Sequence, residues 1–306
     1  MSTPATGSAA VERHFIDYFS EMVMDLAQQK VSKLVPYVMQ ESVTGEIASI
    51  GQQYGEVEGQ VVGSRFGDTP ENHVERERRW VVPVDFDIAT PIDKFDMLRL
   101  NHDTINPIAR AQASEIGRFM DRLIIEGLLG TNKTGQDGST STAFDTSNQV
   151  IAAGATGLTV AKLRQTREIF LKNDIDLDGV TIPMVISPDQ LTSLLTETEV
   201  TSSDYNSVKA LVNGAVDTFM GFKFIVSTRI PGAGNYKAVK QTITPGTGED
   251  YAIAWIPDGA AIGMWKNQVT DIYQRRDKRS NWEAYTCITM GATRMQEEKV
   301  VRIATV

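Results

Sequence analysis

The stretch NPIARAQASEIGRFMDRLIIEGLLG, residues 106–130, carries the strongest structural signal in the chain. Small and apolar residues recur in it at alternating intervals of four and three, as on one face of an amphipathic helix. Asn106 is a suitable N-cap, Pro107 suits the first helical position and Gly130 suits the C-terminal end. We therefore predict a helix over residues 107–129, about 35 Å long at 1.5 Å per residue.

Charged residues accompany this helix on its other faces, and two glycines lie inside it. Arg118, Asp121 and Glu126 stand outside the apolar repeat. Gly117 and Gly127 indicate close packing, because a residue without a side chain lets another segment approach the helix backbone. We therefore expect this helix to be a central element of the fold.

The composition describes a folded, mildly acidic chain. Its 306 residues include 30 lysines and arginines against 39 aspartates and glutamates, a net charge of -9, and 41% are hydrophobic. A single cysteine, Cys287, excludes disulfide scaffolds and multi-cysteine zinc sites. Residues 1–10 lack the features of a signal peptide, and no run approaches the ~20 apolar residues of a membrane span, so we expect no membrane association. The acidic excess argues against wrapping of nucleic acid, which requires a basic surface.

The segments before the long helix offer little core of their own. Residues 11–34 have the apolar spacing of an amphipathic helix, which either packs on its own core or forms an arm that docks elsewhere. Six glycines punctuate residues 43–92, where strand-like pieces occur at 60–62 and 79–88. We interpret this region as a long two-stranded excursion. It needs a neighbouring surface, because an isolated hairpin is marginal in water.

The remaining elements mix helices and strands without a repeating βαβ pattern, which indicates an α+β fold. Residues 131–146, rich in Gly, Ser, Thr and Asn, are predicted to form an exposed, mobile loop. The predicted helices cover residues 160–173, 188–195 and 208–219. The predicted strands cover residues 180–187, 222–227, 251–256, 260–265, 282–290 and 299–306.

No catalytic set emerges from the sequence. The three histidines are isolated from one another, and Cys287 is predicted to be a small buried apolar residue. Residues 130–135 have the outer glycine spacing of a phosphate-binding loop, but Gln136 stands where the lysine is required. Residues 174–179, DIDLDG, match the first half of a calcium-binding loop, yet Val185 occupies the position of its bidentate glutamate. We interpret them as an acidic turn before a buried strand, with calcium binding as the lesser alternative.

Two basic clusters remain, and both contain acidic residues. One is residues 75–79, ERERR, and the other is residues 275–279, RRDKR, near Tyr273 and Trp282. Interleaved arginines and aromatic rings can bind nucleic acid. Because the acidic neighbours and the acidic total weaken that interpretation, we favour charged turns or a protein interface.

Several stretches, in their order and spacing, resemble the major capsid proteins of tailed bacteriophages, which have the Hong Kong 97-type fold. They are SKLVPYV (32–38), RRWVVPVDF (78–86), PIDKFDML (91–98), IGRFMDRLIIEGLLG (116–130), PMVISPDQLTSLL (183–195) and VNGAVDTFMGFKFIVSTRIP (212–231). The resemblance extends from about residue 31 to the C-terminus. No single stretch is a strict motif, so the specificity lies in their order.

This resemblance implies a domain organisation in which some parts have other copies as partners. In that family an extended loop lies over a neighbouring subunit, which would explain why the arm and the hairpin lack cores of their own. The implied parts are an N-terminal arm (1–45), an extended β-hairpin loop (46–92), a peripheral domain (93–183) with a spine helix (107–129), an inserted axial domain (184–258) and C-terminal strands of the peripheral domain (259–306).

The resemblance also implies a structural function without enzymatic activity. The chain would self-assemble into hexamers and pentamers of an icosahedral shell that encloses double-stranded DNA without sequence-specific binding. Scaffolding, portal and decoration proteins are implied partners, the virion capsid is the implied location, and the host cytoplasm is the implied place of assembly. No cofactor, metal ion or membrane is expected.

Three alternatives stay open. An encapsulin-like compartment that encloses cargo enzymes has the same fold. A hydrolase that uses a metal at Asp174, Asp176 and Asp178 belongs to a different class, and so does a nucleic-acid-binding module that uses residues 275–279.

Some members of the family link their subunits through an isopeptide bond between a lysine of the extended loop and an asparagine of a neighbour. Residues 46–92 contain no lysine. We therefore expect a shell held by noncovalent contacts, with or without a separate cementing protein.

The net charge is distributed unevenly along the chain. Residues 46–92 carry 9 acidic and 4 basic side chains, whereas residues 266–306 carry 8 basic and 5 acidic ones. We hypothesise that the loop of one subunit meets the basic segment of another, where complementary charges set orientation more than affinity. The candidate contact residues are Glu56, Glu58, Glu75, Arg76, Glu77, Arg78, Arg79, Arg275, Arg276, Lys278 and Arg279.

Overall fold

The computed structural model describes residues 29–55, 57–59, 61, 63, 73–74, 76–93, 105–197 and 218–306. These residues fall into two compact units. Unit 1 contains residues 29–32, 85–93, 105–119 and 266–289, and unit 2 contains the other described residues. No helix in these ranges is both long and apolar enough to span a membrane.

Three helices and fourteen strands make up the regular structure of the described chain, which is α+β as expected. The helices are α1 (Ile105–Leu129), α2 (Val160–Lys172) and α3 (Pro188–Thr196). The strands are β1 (Met39–Ser42), β2 (Ala48–Tyr54), β3 (Arg76–Val81), β4 (Val84–Ile92), β5 (Asn132–Thr134), β6 (Thr140–Thr142), β7 (Val150–Ile151), β8 (Ile182–Ile186), β9 (Thr218–Phe219), β10 (Phe222–Val226), β11 (Asp250–Trp255), β12 (Ala260–Arg275), β13 (Asn281–Arg294) and β14 (Val300–Thr305).

Helix α1 confirms the strongest prediction of the sequence, with a difference at its start. It begins at Ile105, so Asn106 lies inside the helix and is not its N-cap. The helix is buried over most of its length, and its buried residues include charged ones as well as apolar ones. The buried charged residues of α1 are Arg118, Asp121, Arg122 and Glu126. Each charge inside a protein needs a polar partner, so these four side chains are structural groups.

The two glycines of α1 lie where other segments approach the helix closely. A Cβ atom at Gly117 would come within 2.9 Å of the backbone nitrogen of Ser32. A Cβ atom at Gly127 would come within 2.9 Å of the carbonyl carbon of Ala292 on β13. The close packing predicted from these glycines is confirmed.

The main core belongs to unit 2 and lies around a six-stranded sheet with the order β7-β14-β11-β8-β10-β9. All five residues of β8 are buried, as expected for a strand covered on both faces. Helix α2 starts at the predicted cap Thr159, and α3 starts at a capping box formed by Ser187 and Gln190. Local capping thus fixes the two helices that pack on this sheet, and both predictions are confirmed.

A buried lysine ties the end of the chain to this core. Lys162 on α2 is only 6% exposed. Its Nζ donates hydrogen bonds to the carbonyl oxygens of Ala153, Thr156, Gly157 and Ala304, at 2.8, 2.9, 3.0 and 3.0 Å. These acceptors offset the cost of burying an ammonium group without a carboxylate partner.

A four-stranded sheet with the order β2-β3-β5-β6 contains the expected hairpin. Strands β2 and β3 pair in antiparallel fashion, from Ala48 with Val81 to Tyr54 with Arg76. Residues 131–146 are not the mobile loop that we predicted, because they form strands β5 and β6, and β5 pairs with β3. The polar composition was misleading since short antiparallel strands tolerate Thr and Asn on a half-buried face.

The single strand predicted over residues 79–88 is wrong, because two strands occur there. The chain leaves β3 after Val81 and enters β4 at Val84, with Pro83 between them, and the strands belong to different sheets. Proline has no N–H to donate to a ladder, which favours a break at that point. Within β4 the predicted alternation is confirmed, since Phe86 is half-buried and Asp85 is exposed.

The third sheet has the order β1-β12-β13-β4. Strand β1 pairs in parallel with the start of β12, from Met39 with Ala261 to Ser42 with Met264. The strand predicted over residues 260–265 is much longer than expected, because β12 extends to Arg275 and β13 follows it directly as the second strand of a hairpin. The basic segment at 275–279 is therefore the tip of a long hairpin.

Other predictions are corrected or lie outside the described residues. Residues 29–34, predicted as the end of a helix, are not helical. Val61 is not in a strand, and the strand of that region is β2. Residues 218–219, predicted as the end of a helix, form β9. The rest of the segments predicted at 11–34, 60–62 and 208–219 lies outside the described residues.

Within unit 1 a buried polar network joins α1 to its sheet. The Gln112 Nε2 donates hydrogen bonds to Thr90 Oγ1 at 2.8 Å and to the Ala284 carbonyl oxygen at 3.0 Å. The Thr286 hydroxyl donates to Gln112 Oε1 at 2.8 Å. The network fixes one rotation of the helix against β4 and β13, because any other rotation would leave buried polar atoms unpaired.

Candidate intersubunit surfaces

The basic cluster at residues 275–279 lies at the tip of the β12–β13 hairpin, and part of its charge is balanced inside the chain. The Arg275 guanidinium donates to Asp277 Oδ2 at 2.5 Å and to Glu283 Oε2 at 2.9 Å. The Tyr273 hydroxyl donates to Glu283 Oε1 at 2.9 Å. Arg275 therefore acts first as the centre of an internal network.

These contacts change the proton affinities of the groups involved. Hydrogen bonds from Arg275 lower the pKa of the Asp277 and Glu283 carboxyl groups, and they raise the pKa of Arg275 itself. The hydrogen bond to Glu283 raises the pKa of the Tyr273 phenol. At neutral pH the tip thus keeps two carboxylates and one guanidinium in an ionised set.

The other cations of the tip are available to a partner. Arg276, Lys278 and Arg279 are exposed, and within the described chain none of them forms a side-chain ion pair. The backbone of Arg279 and Ser280 has φ angles of 53° and 59°, which closes the turn. The turn therefore presents three uncompensated positive charges at the end of a projecting hairpin.

The basic cluster on β3 is divided between surface and interior. Arg76 is exposed, with its guanidinium 5.5 Å from the centre of the Tyr54 ring. Arg79 is buried and pairs with Glu77 at 3.1 Å and with Glu297 at 3.3 Å. The charge of Arg79 is therefore used inside its own chain.

The remaining predicted contact residues are scattered. Glu58 is exposed and Arg78 is half-buried, while Glu56 and Glu75 lie outside the described residues. A cleft of about 530 Å³ brings Arg76, Glu77 and Arg79 together with Tyr54, Gln296 and Glu298. This cleft has both signs of charge on its walls.

The acidic turn at residues 174–179 is built as a turn before β8. The Asp176 carboxylate accepts a hydrogen bond from the backbone N–H of Asp178 at 3.0 Å, and Leu177 is buried in the core of unit 2. Across the described residues, no group of three or more His, Cys, Asp or Glu side chains is arranged to hold a metal ion.

Cys287 is half-buried, so the prediction of a buried cysteine is wrong. Its Sγ lies 3.2 Å from the Nζ of Lys266 on the neighbouring strand β12, and this contact raises the pKa of Lys266. The sequence contained the signal for this position. Thr286 and Ile288 belong to the buried face of β13, and a strand residue between two buried ones points to the opposite face.

Two carboxylates of α1 organise distant backbone segments, and sequence reasoning missed their roles. The Asp121 carboxylate accepts hydrogen bonds from the backbone N–H groups of Lys33 and Leu34, at 3.1 Å each. Lys33 in turn donates its Nζ to the carbonyl oxygen of Val226 at 2.8 Å. Asp121 thus fixes the path of the chain that leads into β1.

Glu126 has the same role for a second segment. Its two carboxylate oxygens accept hydrogen bonds from three consecutive backbone N–H groups, those of Val239, Lys240 and Gln241, the last two at 2.8 and 2.9 Å. Their burial inside an otherwise apolar helix was the available signal, but no pattern in the sequence identifies partners more than 80 residues away.

The sequence matches a protein-family model described as phage capsid protein over residues 11–306. No curated protein matches it. Among solved structures, the capsid of cyanophage P-SCSP1u is similar with a TM-score of 0.75 at 12% identity, covering 100% of this chain and 96% of that one. The head structure of Helicobacter pylori bacteriophage KHP40 has a TM-score of 0.71 at 10% identity and covers 94% of each chain. A structure from Mycobacterium phage Che8 has a TM-score of 0.68 at 13% identity, covering 93% and 94%.

The structural similarities establish the fold, and the family model establishes membership. The α+β fold of the Hong Kong 97 type, expected from six stretches of sequence, is confirmed by neighbours that superpose over nearly the whole chain. The family model covers almost every residue, so no large part of the chain is left for another activity. The chain belongs to the phage capsid protein family and has the fold of the major capsid proteins of tailed phages.

Proposed function

We propose that copies of this chain assemble into the hexamers and pentamers of an icosahedral shell that encloses the double-stranded DNA of a tailed phage. The observation that carries this proposal is the match to the phage capsid family over residues 11–306. The proposed location is the virion capsid, after assembly in the host cytoplasm. The acidic total supports a shell that does not grip its DNA, so that the genome can move.

The role we propose is structural and not enzymatic. The buried ionisable groups of α1 are engaged with backbone amides, which gives them a structural purpose. Asp121 and Glu126 each hold a distant segment in place. Scaffolding, portal and decoration proteins are the partners that we propose for assembly and maturation.

The domain organisation expected from the resemblance stays part of the proposal. The proposed parts are the arm (1–45), the extended loop (46–92), the peripheral domain (93–183 with the C-terminal strands 259–306) and the axial domain (184–258). The pairing of β2 with β3 supports the loop, because these two strands form the hairpin that such a loop requires.

For the contact between subunits, we propose that the basic tip of one β12–β13 hairpin meets an acidic segment of a neighbour. Arg276, Lys278 and Arg279 carry this contact, because Arg275 is occupied by Asp277 and Glu283. The acidic side is supplied by residues 46–92, with the candidates named above.

Charge reversal tests this contact. Arg276→Glu should slow assembly, most clearly at low salt, because complementary charges steer encounters that salt screens. Lys237→Glu is the matched control, since Lys237 is also exposed and the change in charge is the same. Light scattering follows assembly, and equal rates for the two variants would contradict the contact.

We also propose that the shell is held without covalent links from the extended loop, because residues 46–92 contain no lysine. Denaturing electrophoresis of mature particles should show a single band at the mass of the chain. A ladder of covalent multimers would overturn this part of the proposal.

A further inference from the structure

Strand β12 changes character halfway along its length. Residues 260–263 are buried, whereas nine consecutive residues, 266–274, are exposed. In its sheet β12 lies between β1 and β13, and β1 pairs only with residues 261–264. Among the described residues, one edge of β12 therefore has no strand beside it from residue 266 onward.

The hydrogen-bond directions identify which backbone groups this open edge presents. The N–H of Val43, just after β1, donates to the carbonyl oxygen of Met264 at 3.0 Å, so Met264 directs its backbone groups toward the β1 side. These directions alternate from residue to residue along a strand. The even-numbered residues of the exposed half thus direct their N–H and C=O groups to the open edge. They are Lys266, Gln268, Thr270, Ile272 and Gln274.

The open edge lacks the devices that usually protect such edges. The sequence KNQVTDIYQ, residues 266–274, contains no proline and no glycine, and its charges are one lysine and one aspartate. Three of its large apolar residues are exposed, Val269 by 36%, Ile272 by 41% and Tyr273 by 43%. A long, unprotected, partly apolar edge pairs readily with another extended chain.

The exposed half of β12 is also held in shape before any partner arrives. The Thr286 hydroxyl on β13 donates to the Thr270 hydroxyl oxygen at 3.1 Å, and Tyr273 bonds to Glu283 on β13. Cross-strand contacts of this kind keep the strand extended. Pairing with a further strand then costs less ordering, because the edge is already formed.

We propose that this open edge accepts an extended segment from a second copy of this chain, which adds a strand to the sheet. The inference rests on the proposed shell, in which identical chains are neighbours. The same edge already takes up β1 over residues 261–264, so a second added strand would continue an existing ladder. Residues 266–279 carry five basic and two acidic side chains, which favours an acidic strand, and residues 46–92 of each copy are acidic.

Two substitutions at one edge position separate backbone pairing from side-chain contact. Gln268→Pro removes an N–H that points to the open edge and breaks no bond to β13, so the subunit should fold with an unchanged melting temperature. Gln268→Ala keeps the N–H and removes only the side chain. We expect Gln268→Pro to lower the yield of particles by about tenfold or more and Gln268→Ala to assemble like the unmodified chain. Equal assembly of both variants, or equal impairment of both, would overturn the proposal.

A mixed-isotope experiment identifies the strand that covers the edge. Chains carrying the photoreactive residue p-benzoylphenylalanine in place of Gln268 are produced with normal and with heavy nitrogen, mixed, assembled and crosslinked. Crosslinks that join a light and a heavy chain support a second copy, whereas crosslinks within single chains only would contradict it. If the unmodified chain forms no shell, the proposed function fails. If it forms shells and Gln268→Pro does so equally well, only the present inference fails.

Discussion

At the scale of single residues, the charged groups of the interior are matched to backbone atoms more than to opposite charges. Glu126 satisfies three amides of one segment. Arg294, which is fully buried, donates to the carbonyl oxygens of Leu128 and Gly130 at the end of α1, at 2.5 and 3.1 Å, and pairs with Glu297 at 2.6 Å. The unpaired carbonyls of a buried helix end thus find a donor.

Replacing Glu126 by glutamine should destabilise the protein by about 2–3 kcal/mol, because one acceptor oxygen becomes an NH2 group that faces backbone N–H groups. Urea unfolding of the purified subunit measures the loss. Hydrogen exchange at residues 239–241 should accelerate in the variant, since these amides lose their acceptor.

The control is Glu168→Gln on α2, where the glutamate is 59% exposed and pairs only with Lys172. A surface change of this kind should alter the free energy of unfolding by less than ~0.5 kcal/mol. A loss of similar size in both variants would show that the amides at 239–241 do not depend on Glu126.

What the sequence predicted at this scale depended on how local the cause was. The need for a glycine at position 127 was readable, because a residue without a side chain inside a helix has few other reasons to be there. The partners of Asp121 and Glu126 were not readable, because they come from segments far along the chain. Cys287 was misjudged although the alternation of β13 placed it opposite the buried face.

At the scale of elements, local signals were sufficient where a cap or an apolar repeat marks the boundary. Helices α2 and α3 start at their predicted caps, Thr159 and Ser187. Sheet membership is not a local property, which explains the error at residues 79–88 and the missed hairpin at residues 131–146. The pairing of β5 with β3 depends on a strand more than 50 residues away.

Gly127→Ala tests how closely β13 approaches α1. Alanine favours an isolated helix by ~1 kcal/mol over glycine. Here its Cβ would lie 2.9 Å from the Ala292 carbonyl carbon, so we expect a net destabilisation of about 1–3 kcal/mol in urea unfolding.

The reverse exchange at an exposed position of the same helix provides the reference. Ala111→Gly should cost about 1 kcal/mol through helix propensity alone, since Ala111 is exposed. If Gly127→Ala stabilises the protein, the packing of α1 on β13 is looser than described.

The tip of the β12–β13 hairpin should loosen in acid. The pKa of Asp277 and of Glu283 is lowered from the ordinary values of 3.8 and 4.5 by the hydrogen bonds to Arg275, so their contribution is complete above those values. It is lost as the pH falls through the lowered values in the folded protein. Hydrogen-exchange protection of residues 273–283 should therefore drop below about pH 4, relative to β14.

Arg275→Gln is the comparison for the acid response, because the variant has no guanidinium to pair with either carboxylate. Its tip should already be loose at neutral pH and should respond little to acid. An acid response equal to that of the unmodified chain would rule out the Arg275 network as the cause.

At the scale of the whole molecule, the fold and the family could be predicted because the order of six stretches follows the resemblance from residue 32 to residue 231. The contacts between copies could not be derived from the sequence, since they depend on which groups the fold leaves exposed. The structure shows that Arg79 and Arg275 are engaged internally while Arg276, Lys278 and Arg279 are exposed. Half of β12 is exposed as well, so the surfaces that await partners are backbone as well as charge.

Electron microscopy of the purified, expressed chain tests the central claim most directly. The account predicts closed particles of uniform diameter whose reconstruction has icosahedral symmetry, with the chain arranged in hexamers and pentamers. Packaged DNA in particles from infected cells would separate a phage shell from a compartment that holds cargo enzymes. A discrete small oligomer under every assembly condition, in the presence of scaffolding protein as well as in its absence, would contradict the account.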